Sequence, residues 1–351
     1  MAENTPRLSF TCDYEEGAHP AILKRLAETN FLKEPGYGYD EFSLAAKDKI
    51  REACGAPNAG VYFLIGGTQT NATVIDAVLR GYQGVVAANT GHVAVHEAGA
   101  IEFGGHKVLT VPQERGKVSA AVLNQSLLDI ENDGSYEHMV HPGLVYISQP
   151  TEYGTLYTKA ELEAIRAVCD EHKLPLFIDG ARLGAALYSP VCDYTLADMA
   201  HMCDVFTIGG TKMGLLFGEA AVFSAPELAK DFRYFIKQNG GMLAKGRLLG
   251  VQFYAAFKDG LYDRIGAEEV RLALRLRDGF RARGWTFLVE SPSNQQFPIL
   301  PDALIERLKP EFSCSHTQSF PNGMSAVRFC TSWATTDADI DALLDAVPIN
   351  A

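Results

Sequence analysis

The chain has 351 residues, which at roughly 150 residues per domain leaves room for about two domains. Its 31 Lys and Arg against 43 Asp and Glu give a formal net charge of −12, unlike the basic face of a nucleic-acid binder. Apolar residues make up 47% and charged residues 21%, a globular mix with material for a large core rather than a disordered chain. No apolar run approaches the roughly 18–20 residues of a transmembrane helix. The start, MAENTPRLSFTCDY, lacks the basic and apolar regions of a secretory leader. Seven cysteines form no C-x-x-C and nine histidines no H-E-x-x-H; reduced thiols in a cytoplasm and no metal are expected. A soluble cytoplasmic enzyme with no nucleic-acid or membrane partner is the class that remains.

In chain order, β-branched and aromatic runs predict strands at Gly60–Ile65, Gly84–Ala88, Lys107–Val111, Leu144–Ser148, Leu174–Asp179, Asp204–Ile208 and Glu219–Phe223. Amphipathic segments such as Thr70–Tyr82 and Lys159–His172 predict helices between them. The alternation reads as an α/β domain with seven strands in one mostly parallel sheet, buried on both faces. Beyond Ala225 the pattern changes. A long helical stretch, Pro226–Phe257, precedes another through Arg283. Strands follow near Trp285–Glu290, Gln296–Leu300 and Met324–Cys330, with a last helix at Asp337–Leu344. The expected division is a large domain over residues 1–250, whose N-terminal segment reaches the small domain, and a small α+β domain over 251–351.

Three strand ends carry the candidate chemistry. Ile65-Gly66-Gly67-Thr68 closes a strand and opens a helix, where backbone N–H groups and the helix N-terminus favour an anion. It matches neither nucleotide-binding glycine motif, and a plain βα turn is the other reading. In Phe177-Ile178-Asp179-Gly180-Ala181-Arg182 the Asp sits at the carboxyl end of a buried strand, where α/β sheets bind ligands. It reads equally as a helix cap, with Arg182 as its structural partner. In Thr207-Ile208-Gly209-Gly210-Thr211-Lys212 a lysine follows a buried strand and a glycine turn. It is either functional or an exposed turn residue.

The order of the three says more than any one. Anion turn, strand-end Asp and strand-end Lys are what an enzyme using pyridoxal 5'-phosphate (PLP) needs. The cofactor takes a lysine amine as a Schiff base and draws electrons from the substrate α-carbon. A carboxylate beside its pyridine nitrogen favours the protonated form.

The sequence resembles the L-threonine aldolase family, within the wider group of threonine aldolases and β-eliminating lyases. The resemblance rests on DGARLGAAL (Asp179–Leu187), DVFTIGGTKMGLLFGEAAVF (Asp204–Phe223) and GHVAVHEAGA (Gly91–Ala100). CDYEEGAHP, GYGYD and VRFCTSWATT add to it. It implies a fold-type I PLP enzyme resembling aspartate aminotransferase, with a large PLP-binding domain and a small C-terminal domain. It also implies active sites shared across a homodimer that often pairs into a homotetramer.

Residue by residue, the resemblance makes Lys212 the Schiff-base lysine and Asp179 the pyridinium partner. Gly67 and Thr68 become the phosphate turn, Arg182 the active-site arginine, and His92 the histidine against the cofactor ring. Arg328 becomes the clamp for the substrate α-carboxylate, a job suited to its planar fork. Cys12 stands where relatives have a serine, so a weaker thiol donor would meet substrate. Met213 replaces a small residue, and Leu243 replaces an arginine. Lys237, Lys245 or Arg247 is then left to reach a neighbouring phosphate or simply to face solvent.

The implied reaction is retro-aldol cleavage of a β-hydroxy-α-amino acid, L-threonine or L-allo-threonine, to glycine and acetaldehyde, with His92 or a water it positions as base. A phenylserine-type aldolase and a PLP-dependent β-eliminating lyase are the rivals, and a non-catalytic PLP-binding protein is the rival outside enzymes. The missing glycine fingerprint argues against a nicotinamide dehydrogenase.

Overall fold

The computed structural model describes residues 8–350. All seven expected strands form, and they share one sheet. They are β1 (Gly60–Leu64), β2 (Gln83–Ala88), β3 (Val108–Val111), β4 (His141–Ser148), β5 (Leu176–Asp179), β6 (Val205–Gly209) and β7 (Glu219–Phe223). Their order is β1-β7-β6-β5-β4-β2-β3. The ladders from β3 through β6 are parallel, while β7 runs antiparallel to both β6 and β1.

Apolar residues cover both faces of this sheet, which is why β5 to β7 read as unbroken apolar runs rather than alternating ones. Ile147, Ile178, Phe206 and Ile208 pack on one side with Leu162, Ile165 and Phe253. Their strand neighbours Tyr146, Phe177, Val205 and Phe223 pack on the other with Val74, Ile75 and Phe232. Register puts Ser148 beside Asp179, so β4 and β5 end together and present their carboxyl ends at one edge.

A second, antiparallel sheet is built from β8 (Gln295–Gln296), β9 (Ile299–Pro301), β10 (Ser315–Phe320) and β11 (Met324–Cys330). Its core, with Phe10, Leu300, Val327 and Phe329, packs on the helices Leu261–Ala282 and Asp337–Ala346 through Leu272, Leu276, Phe280, Ile340 and Leu343. Leu8–Ser9 pairs in parallel with Phe312–Ser313, which stitches the start of the chain to this C-terminal unit. Among the described residues no helix is long and apolar enough to cross a membrane.

Two expectations need correction. The stretch Pro226–Phe257 is not one helix but a short 3-10 turn (Pro226–Ala229) and two helices, Phe232–Gln238 and Arg247–Lys258. Asn239 caps the first helix, and Gly240 follows with φ +73°, a left-handed stop that glycine adopts without steric cost. The strand expected at Trp285–Glu290 is reduced to a single bridge between Phe287 and Pro298. Pro298 has no N–H to give a ladder. The same proline splits the expected Gln296–Leu300 strand into β8 and β9, both of which pair with β11.

Candidate active site

Asp179 ends β5, and Lys212 follows β6 on the Gly209–Gly210 turn. The glycines let the two loops meet. A Cβ at Gly209 would lie 2.1 Å from the Ala181 carbonyl oxygen, and one at Gly180 would lie 2.1 Å from that of Thr207. In their absence Gly209 N–H donates to the Gly180 carbonyl at 3.0 Å. Thr207 Oγ1 accepts from Gly180 N–H at 2.7 Å.

The Asp179 carboxylate is 6% exposed and fully engaged. Oδ2 accepts from Tyr146 OH at 2.6 Å and from Asn71 Nδ2 at 2.8 Å, and Oδ1 accepts from Ala181 N–H at 2.9 Å. Burial alone would raise its pKa. The Tyr146 bond, the His92 charge, the Asn71 bond and the Lys212 charge outweigh that and hold it below the ordinary carboxylate value. Burial, then the Arg182 charge, push the Lys212 amine below the usual lysine value, and its Nζ lies 5.9 Å from the Tyr14 ring centroid. Glu219 sits beneath the lysine turn, accepting from Thr211 Oγ1 at 2.9 Å and Gly210 N–H at 3.2 Å. Burial pushes its carboxyl up to about 7.

Arg182 is not the partner of Asp179. It forms a two-pronged pair with Asp13, Nε to Oδ2 at 2.6 Å and Nη2 to Oδ1 at 3.0 Å. Asp179 Oδ1 is occupied by Ala181 N–H, and the N-terminal segment brings Asp13 over the turn instead. Asn294 also donates to Asp13, at 2.9 Å. Burial opposes ionisation of Asp13, but Arg182 and Lys212 overcome it and hold the carboxyl at about 2.

His92 opens the short helix His92–Val95. Its Nδ1 lies 2.7 Å from Glu97 Oε1, which also accepts from Asn71 Nδ2 at 2.7 Å. Asn71 therefore links the histidine's carboxylate to Asp179. Glu97 Oε2 is buried with no partner. On the other side, Glu152 Oε1 accepts from His92 N–H at 2.8 Å and from Ser148 Oγ at 2.7 Å. Gly67, Asn71, His92, Ser148, Glu152, Asp179, Arg182 and Lys212 line one pocket.

Gly67 and Thr68 begin the helix Gly67–Val78, behind a Gly66 cap that gives no side-chain cap bond. A Cβ at Gly66 or Gly67 would meet nothing within 4 Å. This turn keeps open room at an uncapped helix start, unlike the crowded Gly180 and Gly209.

Arg328 lies in β11, where Nη2 donates to the Thr11 carbonyl at 3.0 Å and to Ser315 Oγ at 3.3 Å. Its Nε is buried with no partner. Its charge reaches Tyr14 and His96, the second of which is held below the usual histidine value by burial, His92 and Arg328. Cys12 is buried beside that Thr11 carbonyl, and burial raises its thiol. Arg247 donates to the carbonyls of Thr29, Asn30 and Leu32, finishing the helix Pro20–Thr29. Lys237 Nζ lies 5.1 Å from the Tyr37 ring centroid, and Lys245 is exposed.

Sequence reasoning missed Asp13, Asn71, Tyr146 and Glu152. Asn71 carried a signal, a polar residue one turn after Gly67 on the sheet-facing side of its helix. Asp13 carried one only as the second residue of CDYEEGAHP, and Tyr146 and Glu152 carried none.

The residues fit PLP. A buried carboxylate kept ionised suits a protonated pyridine nitrogen, a desolvated amine suits a carbonyl electrophile, and the open Gly66–Gly67 turn suits a phosphate. With this sheet and its smaller C-terminal partner, they define the fold-type I class of PLP-dependent enzymes. An aspartate aminotransferase of Thermus thermophilus shares the fold at 14% identity, with TM-score 0.71 over 97% of this chain and 90% of that one.

Residues 13–297 match the family model for beta-eliminating lyases. The chain is 32% identical over 344 residues to a low specificity L-threonine aldolase of Pseudomonas aeruginosa, covering 97% of this chain and 96% of the relative. It is 30% identical to another from a Pseudomonas species, covering 95% of each. A threonine aldolase structure from Leishmania major is 44% identical with TM-score 0.93, covering 96% of this chain and 98% of that one. The chain belongs to the L-threonine aldolase family, within the beta-eliminating lyases, and is a PLP-dependent lyase.

Proposed function

We propose that this enzyme cleaves β-hydroxy-α-amino acids, L-threonine and L-allo-threonine among them, to glycine and an aldehyde by retro-aldol reaction. The observation that carries the reading is the buried, ionised Asp179 and the desolvated Lys212 lining one pocket in a chain of this family. When bound, the cofactor supplies a sink for the electron pair released at the substrate α-carbon. Lys212 is the amine that would bond its aldehyde as a Schiff base, and the Asp179 charge would keep its ring nitrogen protonated. The N–H groups of Gly67 and Thr68 would hold its phosphate, and His92 is the residue assigned to its ring.

Arg182, gripped by Asp13, walls the same pocket. Arg328 holds the substrate α-carboxylate in its fork, with Cys12 as a second contact. His92, or a water it holds, is one group able to take the β-hydroxyl proton. Residues 1–250 form the cofactor domain and 251–351 the small domain. The enzyme works in the cytoplasm as a homodimer or homotetramer with shared sites.

The test is a product assay on purified, PLP-supplemented protein with L-threonine, L-allo-threonine and L-phenylserine. Aldehyde with equimolar glycine is the expected result. A rate confined to phenylserine moves the substrate class, and ammonia with a keto acid overturns the retro-aldol reading.

A further inference from the structure

Glu152 is a half-buried acid that the roles above leave unused. It stands four residues past Ser148, the end of β4. Two donors on separate elements fix it, His92 N–H at the start of its helix and Ser148 Oγ at the end of the strand, 2.8 and 2.7 Å away. Both bonds fall on Oε1, and the carboxyl also interacts with its own backbone N–H; a carboxylate has about four lone-pair sites, so it keeps acceptor capacity for a bound molecule. The carboxyl lines the pocket with Lys212 and Asp179.

Retro-aldol cleavage requires an acceptor for the proton on the β-oxygen. An ionised carboxylate is acceptor-only, whereas His92 already shares one ring nitrogen with Glu97 at 2.7 Å. We infer that Glu152 is a further catalytic residue, the acceptor of the substrate β-hydroxyl proton, with His92 fixing its place through the backbone N–H. The inference rests on the retro-aldol reading.

The step balances without a redox partner. The β-oxygen's proton moves to Glu152, and the O–H pair closes the aldehyde C=O. The Cα–Cβ pair stays with the glycine fragment, which takes a proton from water at Cα. Glu152 then returns its proton to water, so no net proton is gained or lost.

The surroundings suit the task. Burial raises the Glu152 carboxyl above the usual glutamate value, offset in part by the Ser148 bond, while the Asp179 charge raises it further and the His92 charge lowers it. The Glu152 charge also raises the Tyr146 and Tyr157 hydroxyls, on β4 and the loop beyond. A base strengthened toward the working pH is a better proton acceptor.

The test compares the wild-type holoenzyme with Glu152→Gln and His92→Asn, following aldehyde release from L-threonine. Glycine affinity and the visible cofactor band are measured on the same samples. An amide oxygen still accepts from His92 N–H and Ser148 Oγ, so Glu152→Gln keeps the cofactor band and binds glycine within about threefold of wild type. Its kcat falls roughly 100-fold or more, and the acid limb of its kcat/KM profile disappears. Cleavage by Glu152→Gln within about threefold of wild type overturns the assignment. So does parallel loss of glycine and cofactor binding, which marks a structural role, or loss of the acid limb in His92→Asn alone. A wild-type enzyme that releases no aldehyde overturns the reaction itself; a cleaving wild type beside an equally fast Glu152→Gln overturns only Glu152.

Discussion

Arg182 grips Asp13 across 169 residues of chain, with two hydrogen bonds of 2.6 and 3.0 Å. The pair fastens the N-terminal segment onto the turn after β5, and Asn294 fastens the C-terminal unit to the same carboxylate at 2.9 Å. One buried ion pair thus joins three distant stretches of chain at the edge of the pocket. Both of its charges also act on the Lys212 amine, Arg182 lowering it and Asp13 raising it.

Removing one partner of a buried pair leaves the other charge uncompensated, which costs about 3–5 kcal/mol. Asp13→Asn is expected to lose stability on this scale, read as a lower midpoint in urea unfolding at pH 7. An unchanged midpoint means the pair does not hold the two segments together.

The same pair sets an acid dependence. The Asp13 carboxyl is held at about 2 in the folded protein against 3.8 for a free aspartate. Its stabilising contribution is complete above that free value and is lost as pH falls through the folded one. Wild-type stability is therefore expected to drop more steeply between about pH 4 and pH 2 than that of Asp13→Asn, measured by urea unfolding across that range. Parallel curves contradict the linkage.

The glycines divide into two kinds. Gly209→Ala drives a Cβ to 2.1 Å from the Ala181 carbonyl oxygen, so the loops carrying Lys212 and Asp179 must part, at a cost of about 1–3 kcal/mol. Gly67→Ala meets nothing within 4 Å, so its thermal midpoint without cofactor stays near wild type while PLP affinity falls. Calorimetry and a PLP titration separate the two effects; equal destabilisation of both variants contradicts the distinction.

Asp179→Asn keeps the shape of the side chain and removes its charge. With the ring nitrogen no longer held protonated, kcat is expected to fall roughly 100-fold or more, with the chain still folded. Steady-state rates and circular dichroism check this, and a rate near wild type removes Asp179 from its role.

Much of the fold and part of the site are legible in the sequence. The strands announce themselves because a sheet covered on both faces needs unbroken apolar runs, and LVYIS, LPLFID and DVFTI are such runs. Asp179 and Lys212 stand out as charged residues at the ends of those runs. The partner of Arg182 was not legible, because Asp13 reaches it only through the tertiary fold. Nor were Tyr146 and Glu152: the first reads as core in a buried strand, and the second lies in a loop without a motif. Pro298 interrupts pairing in the small sheet, where apolar content alone predicted unbroken strands.

The most direct test of the account is turnover of L-threonine by Lys212→Ala, with aldehyde and glycine quantified beside wild type under saturating PLP. Wild type is expected to release the two in equal amounts, and the variant neither. Aldehyde release by Lys212→Ala near the wild-type rate contradicts it.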